Sequence, residues 1–140
     1  MVELQHKPRI LVVEDDQQIC RWLTRVLESV GHEVTAVGLG ALAIRDATAT
    51  RPDLVILDVN LPDTSGLQVC QLLRTLYDRS VMPVLMFTGM SQPIDQLKGF
   101  AHGADAYLTK PCEIDDLVGT VGSLLERAHE GEEDLPFPAD

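Results

Sequence analysis

The stretch ILVVEDD at residues 10–16 decides the fold, because four apolar residues in a row are followed at once by three acidic ones. A short run that is apolar at every position is typical of a strand buried on both faces of a parallel sheet. Similar runs occur at LVIL, residues 54–57, and at VLMF, residues 84–87, where Pro83 stands at the strand entrance. These three runs predict the central strands of a sheet.

Amphipathic segments separate the apolar runs. Residues 17–30 carry apolar side chains at the i, i+3, i+4 and i+7 spacing of a helix that packs on a core. Further helices are expected at 40–49, 66–76, 93–102 and 114–125, and further strands at 33–37 and 106–108. Five strands alternating with five helices predict a doubly wound, flavodoxin-like α/β fold, with a parallel sheet of order 2-1-3-4-5 and helices on both faces.

The 140 residues fit one domain, and 45% hydrophobic with 24% charged residues is the composition of an ordinary globular chain. We predict an N-terminal extension at 1–8, the domain at 9–127, and an acidic, flexible tail or linker stub at 128–140. The net charge of −11, with 22 acidic and 11 basic residues, argues against direct nucleic-acid binding, which needs clustered lysine and arginine.

The sequence also indicates a compartment. The N-terminal residues lack an apolar signal segment, and no apolar run approaches membrane-spanning length. Cys20, Cys70 and Cys112 are widely spaced and follow neither a disulfide nor a zinc pattern, so we interpret them as small core residues in a reducing environment. We therefore expect a soluble, cytoplasmic protein that does not contact a membrane.

Polar side chains end the predicted strands. Glu14 and Asp15 follow the first strand and Asp58 follows the third, while Thr88 and Lys110 follow the fourth and fifth. Because the carboxyl ends of parallel strands share one edge, the three carboxylates should converge there, at the point where the strand order reverses. Carboxylates held this close repel one another unless a cation joins them, and hard oxygen ligands predict Mg²⁺.

Two further acids at this edge have a simpler explanation. Asp16 is well placed to cap the helix that follows the first strand. Asp63 lies in the turn-forming stretch LPDTSG, residues 61–66, where we interpret it as a cap for the third helix. Neither acid is therefore predicted to bind the metal.

Four stretches resemble the signatures of the receiver domain of two-component response regulators, of the chemotaxis-regulator type: ILVVEDD, LVILDVNLPDTSG, PVLMFTG and GADAYLTKP. The resemblance covers residues 9–127, with the stretches in the family's order. The resemblance implies that Asp58 is the phospho-acceptor and that Mg²⁺ is bound by Glu14, Asp15, Asp58 and the backbone carbonyl of Asn60. It implies that Thr88 and Lys110 contact the phosphoryl group. Thr88 and Tyr107 would form the conformational switch. The resemblance also implies a cis peptide bond between Lys110 and Pro111.

The resemblance implies a signalling switch that catalyses only its own phosphorylation and dephosphorylation. A histidine kinase or histidine phosphotransfer protein would supply the phosphoryl group from a phosphohistidine, with Mg²⁺ as cofactor. The phosphoryl group would draw the Thr88 hydroxyl towards it and let Tyr107 turn inward. This change would alter the strand 4–helix 4–strand 5 face, which would then control a downstream protein or a fused effector domain.

Several positions depart from the commonest form of the family. Gly89 stands where alanine is usual, and Met90 either shields the phosphoryl group or simply packs. Cys112 stands where phenylalanine often follows Lys-Pro, and we predict a small buried residue there. The winged-helix transcription-factor subclass of the family typically has an acid at the position of Ala106 and a basic final helix, which it uses in the salt bridges of a dimer. Here Ala106 replaces the acid and Arg127 is the one base of the final helix, so this mode of dimerisation is disfavoured. A homodimer formed by another route stays open.

Three alternative functions compete with this interpretation. A receiver-like interaction module that is never phosphorylated would keep the fold, but such modules usually lack one of the site residues that this sequence has. A phosphohydrolase with an aspartate nucleophile would need a second acid where Asn60 stands. A flavin-binding protein would share only the fold, because the acidic loop after the first strand would repel its phosphate.

Overall fold

The computed structural model describes residues 7–133, which form a five-stranded parallel sheet of order β2-β1-β3-β4-β5 and five helices. The strands are β1 (Arg9–Val13), β2 (Glu33–Val37), β3 (Leu54–Leu57), β4 (Val84–Thr88) and β5 (Ala106–Thr109). The helices are α1 (Gln17–Ser29), α2 (Gly40–Thr50), α3 (Gly66–Leu76), α4 (Pro93–Ala101) and α5 (Ile114–Glu133). The predicted fold class and strand order are confirmed.

The pairing of the strands places their carboxyl ends together. Strand β1 lies between β2 and β3, and Val13 is opposite both Val37 and Leu57. At the other side of the sheet, Thr88 of β4 is opposite Thr109 of β5. Because every pair is parallel, the residues that follow β1, β3, β4 and β5 all emerge at one edge of the sheet.

Two apolar layers hold the sheet between the helices. Successive strand residues point to opposite faces, so Leu11 and Val13 face one layer while Ile10 and Val12 face the other. The first layer includes residues of α2 and α3, and the second includes residues of α1 and α5. Each fully buried aliphatic side chain contributes roughly 1.5–3 kcal/mol, so these layers fix the sheet and the loops at its edge.

The cysteines belong to these layers. Cys70 is buried in the layer under α2 and α3, and burial raises the pKa of its thiol to about 11. Cys20 and Cys112 are partly buried and pack against the opposite layer. All three are free thiols, as the sequence predicts, and Cys112 is less deeply buried than expected.

Of the two helix caps predicted from the sequence, the structure confirms Asp16 on α1 but not Asp63 on α3. Asp16 caps α1, because its Oδ1 accepts hydrogen bonds from the backbone N–H groups of Gln18 and Ile19. Asp63 does not cap the third helix, and that prediction is wrong. Its carboxylate accepts from the backbone N–H groups of Gly40, at 2.8 Å, and Ala41, at 3.1 Å. Helix α2 has no side-chain cap of its own, so an acid from a distant loop takes that place.

The C-terminal helix is longer than predicted. Helix α5 continues to Glu133, so the first six residues of the predicted tail are helical, and residues 134–140 lie outside the described residues. Alanine, glutamate and arginine in residues 126–133 are good helix formers, which accounts for the extension. At the other end, residues 7–8 of the predicted extension are described and precede β1. Among the described helices, none combines the length and apolar character needed to cross a membrane.

One arginine ties three segments together at the opposite edge of the sheet. The Arg74 guanidinium of α3 donates to the backbone carbonyls of Tyr77, Met82 and Gly103. It also forms an ion pair of 2.9 Å with Asp105, whose other oxygen pairs with exposed Arg79. Only 16% of the Arg74 side chain is exposed, so these charge-assisted bonds are poorly replaced by water.

We predict that Arg74→Met lowers the free energy of unfolding by about 2–4 kcal/mol, because it leaves the Met82 and Gly103 carbonyls without this donor and removes the buried ion pair of Asp105. Urea denaturation measures this change. Arg45→Met is the matched control: Arg45 is 70% exposed and, within residues 7–133, forms an ion pair with its neighbour Asp46 alone, so its loss should change stability by less than about 0.5 kcal/mol. Equal effects of the two substitutions would contradict the assigned role of Arg74.

Candidate functional site

Three carboxylates converge at the carboxyl edge of the sheet. Glu14 and Asp15 follow β1, Asp58 follows β3, and one oxygen from each lies within 4.8 Å of the others. Glu14 and Asp58 are only 4% and 6% exposed, whereas Asp15 is exposed to solvent. The sequence-based prediction that these three side chains meet is therefore correct in geometry.

Lys110 joins two of these acids. Its Nζ lies 2.5 Å from Oε1 of Glu14 and 2.9 Å from Oδ2 of Asp58. Burial raises the pKa of Glu14, although the hydrogen bonds from Lys110 and the Asp16 backbone act in the opposite direction. Burial by itself would lower the pKa of Lys110, but the hydrogen bonds to Glu14 and Asp58 outweigh it and raise that pKa. The ammonium is therefore held in its charged form between the two carboxylates.

The backbone around Asp58 fixes the direction of its carboxylate. Its N–H donates to the Val13 carbonyl at 3.0 Å, and the N–H of Asn60 donates to its Oδ1 at 3.2 Å. Gly66 lies so close that a Cβ there would be 2.0 Å from the Asp58 carbonyl oxygen, and its N–H donates to the Val59 carbonyl at 2.7 Å. A residue with a side chain at position 66 would therefore displace the loop that carries Asp58.

The fourth and fifth strands supply the other side of the site. Thr88 is fully buried at the end of β4, and its carbonyl accepts from the Lys110 backbone N–H at 2.8 Å. Its Oγ1 accepts from the N–H of Met90 at 3.4 Å, and the Met90 carbonyl accepts from the Tyr107 hydroxyl at 2.7 Å. The Lys110–Pro111 peptide bond is cis. Thr88 and Tyr107 are thus connected through the backbone of Met90.

An apolar groove of about 350 Å³ lies beside Lys110. Trp22 stacks on Phe87 with ring centroids 6.3 Å apart, and the Lys110 ammonium lies 5.8 Å from the centroid of the Phe87 ring. The other lining residues are Gln18, Ile19, Pro111 and Cys112. The sequence gives Trp22 and Phe87 only as core positions, and nothing in their spacing indicates that they support the site lysine.

The donor set fits a hard divalent cation. Glu14, Asp15 and Asp58 carry three negative charges against the single positive charge of Lys110, which leaves a formal charge of −2. Carboxylate oxygens are ligands that suit Mg²⁺. Because Asp15 is exposed, the ion could keep part of its water shell on that side. The residues that would hold the ion are Glu14, Asp15 and Asp58. Asn60 contacts the Asp58 carboxylate through its N–H, and its carbonyl as a metal ligand remains a prediction.

The class of protein follows from the fold and the site together: a doubly wound α/β domain with an acidic, lysine-bridged centre at its topological switch point. The family described as "Response regulator receiver domain" matches residues 10–122. The chain belongs to this family.

Relatives and solved structures agree with that assignment. The chain is 39% identical over 120 residues to the DNA-binding dual master transcriptional regulator RpaA of Synechocystis, covering 86% of this chain and 50% of the relative. It is 42% identical over 120 residues to the transcriptional regulatory protein PrrA of Mycobacterium leprae, and the match covers 86% of this chain and 51% of that relative. A CheY-like response regulator receiver domain protein from Methanospirillum hungatei matches with a TM-score of 0.84 at 26% identity, covering 89% of this chain and 98% of that one. The chain therefore spans about half the length of the curated relatives it matches.

We predict that Lys110→Met lowers the free energy of unfolding by about 2–4 kcal/mol in the presence of a chelator, because Glu14 and Asp58 lose their shared counter-charge. Added Mg²⁺ should restore much of this loss, so that the magnesium-dependent rise in melting temperature is larger in the variant than in the wild type. Thermal unfolding with and without Mg²⁺ measures both effects.

Lys98→Met is the control for that experiment. Lys98 is exposed on α4, and its removal changes the net charge equally without touching the acidic cluster. Its magnesium response should equal that of the wild type. A Lys110→Met variant that responds to Mg²⁺ no more than Lys98→Met would show that the lysine does not compensate the acids.

Proposed function

We propose that Asp58 accepts a phosphoryl group from a phosphohistidine of a histidine kinase or phosphotransfer protein, with Mg²⁺ as cofactor. The observation that carries this proposal is the setting of the Asp58 carboxylate. It is nearly buried, one oxygen contacts the Lys110 ammonium at 2.9 Å, and the other accepts from the Asn60 N–H at 3.2 Å. A carboxylate held in this way is oriented for attack and lies beside a fixed positive charge.

The transfer is a matter of position and charge. An oxygen of Asp58 attacks phosphorus, the P–N bond to the donor imidazole breaks as a P–O bond forms, and the imidazole nitrogen keeps the electron pair. Glu14, Asp15 and Asp58, with the Asn60 carbonyl, would hold Mg²⁺, which would supply positive charge beside the phosphoryl oxygens. Lys110 supplies a second positive charge, and the Thr88 hydroxyl supplies a hydrogen bond to one of those oxygens.

The same residues connect phosphorylation to a surface. A phosphoryl group on Asp58 attracts the Thr88 hydroxyl, and Thr88 is joined to Tyr107 through the Met90 backbone. The position of Tyr107 then alters the β4–α4–β5 face, which binds a downstream protein or a fused effector domain. The relatives named as DNA-binding regulators are about twice as long, and with a net charge of −11 this chain is not proposed to bind nucleic acid itself.

The protein acts in this proposal as a cytoplasmic switch whose only reactions are its own phosphorylation and dephosphorylation. The alternative of a module that is never phosphorylated is not favoured, because the chain belongs to the receiver family and keeps Asp58, Thr88 and Lys110 at one edge of the sheet.

We predict that the chain gains one phosphoryl group when it is incubated with Mg²⁺ and acetyl phosphate, and that Asp58→Asn abolishes this gain. Intact-mass spectrometry measures the modification, and a chelator added before the phosphodonor should prevent it. The physical reason is that asparagine lacks the anionic oxygen that attacks phosphorus.

Asp16→Asn is the matched control, because it removes one negative charge from the same edge while the asparagine can still cap α1. This variant should be phosphorylated to the same extent as the wild type. Failure of the wild type to gain mass with acetyl phosphate and with a phosphorylated histidine kinase would overturn the proposal and favour the interaction module.

A further inference from the structure

Helix α4 contacts the ring of Tyr107 through a glycine. Gly99 is buried, and a Cβ at this position would lie 3.0 Å from Cδ2 and 3.1 Å from Cε2 of Tyr107. Carbon atoms normally pack at about 3.5–4.0 Å, so an alanine here would have to push the ring aside. Glycine is a poor helix former, and its presence in this helix is explained by the close approach of the aromatic ring.

The other end of the Tyr107 side chain is also fixed. Its hydroxyl donates to the Met90 carbonyl at 2.7 Å, and the Met90 N–H faces Oγ1 of Thr88 at 3.4 Å. We call this arrangement, with the ring against Gly99 and the hydroxyl on Met90, the docked conformer. A movement of the ring by a few tenths of an ångström away from Gly99 would strain the same hydrogen bond.

The docked conformer reaches the protein surface through Phe100. The rings of Phe100 and Tyr107 lie 6.4 Å apart, and Phe100 is 45% exposed. Ile94 and Leu97, on the same helix, are also exposed apolar side chains, at 55% and 65%. The position of the Tyr107 ring thus determines what Phe100 packs against, and Phe100 belongs with Ile94 and Leu97 to the exposed apolar side chains of α4.

We propose that Gly99 is a positioning residue for Tyr107: the missing Cβ admits the docked conformer, and phosphorylation of Asp58 favours that conformer. The second part rests on the proposed function, and the first does not. Because linkage is reciprocal, a substitution that disfavours the docked conformer must also weaken the binding of a phosphoryl group or its mimic at Asp58.

The first test is a double-mutant cycle on the stability of the full chain. Gly119 is the matched control, because it lies exposed in α5 with nothing within 4 Å of its added Cβ. Gly119→Ala should lower the unfolding equilibrium constant by about 2- to 5-fold through helix propensity alone, whether or not Tyr107 is present. Gly99→Ala should not stabilise the chain while Tyr107 is present. It should lower the unfolding equilibrium constant only in a Tyr107→Ala background.

Urea denaturation of the single and double variants measures the cycle. A stabilisation by Gly99→Ala that is the same with and without the Tyr107 ring would overturn the positioning role. This test needs neither Mg²⁺ nor phosphorylation, so its outcome is independent of the proposed function.

The second test measures the coupling to Asp58. Beryllofluoride, which imitates a phosphoryl group on a carboxylate, is titrated in the presence of Mg²⁺ while the fluorescence of Trp22, the single tryptophan, is followed. Gly99→Ala should raise the half-saturating concentration by roughly 2- to 10-fold, the cost of a displaced rotamer, while Gly119→Ala leaves it unchanged. Equal values for Gly99→Ala and wild type would overturn the coupling. A wild type that does not respond would contradict the proposed function and the coupling together, while the unfolding cycle would still decide the positioning role.

Discussion

The structure depends on one shared charge, the Lys110 ammonium, which contacts Glu14 at 2.5 Å and Asp58 at 2.9 Å. Two nearly buried carboxylates on neighbouring strands would otherwise repel each other across the edge of the sheet. The lysine makes their close approach tolerable, and it leaves enough negative charge for a divalent cation. Its position is set in turn by its backbone N–H, which donates to the Thr88 carbonyl at 2.8 Å. The acids, the lysine and the threonine are therefore parts of one electrostatic unit.

The rest of the molecule holds this unit in place and connects it to a surface. Parallel pairing delivers the ends of four strands to one edge, and Gly66 lets α3 approach the Asp58 backbone closely enough to fix its loop. At the opposite edge, Arg74 joins α3 to the segments before β4 and β5. In the proposed switch, a change at Asp58 passes through Thr88 and the Met90 backbone to Tyr107, because hydrogen bonds join Thr88 to Met90 and Met90 to Tyr107.

Much of this arrangement could be predicted from the sequence, and the remainder could not, for a physical reason. The apolar runs and the acids that follow them indicate the strands, the sheet edge and the meeting of Glu14 with Asp58, because these depend on local pattern and on topology. The partners of Asp63 and Arg74 depend on which distant backbone groups need a donor or acceptor, and no periodicity encodes that. The contact between Gly99 and Tyr107 is of the same kind: a glycine in a helix gives no sign of which ring will pack on it.

The central claim is that Asp58, and no other acid of the cluster, carries the phosphoryl group. The most direct measurement is borohydride reduction of the phosphorylated chain followed by peptide mass spectrometry, since hydride converts an aspartyl phosphate to homoserine with release of phosphate. We predict homoserine at position 58 alone. Homoserine at position 15, or reduction at several acids in comparable yield, would contradict the account.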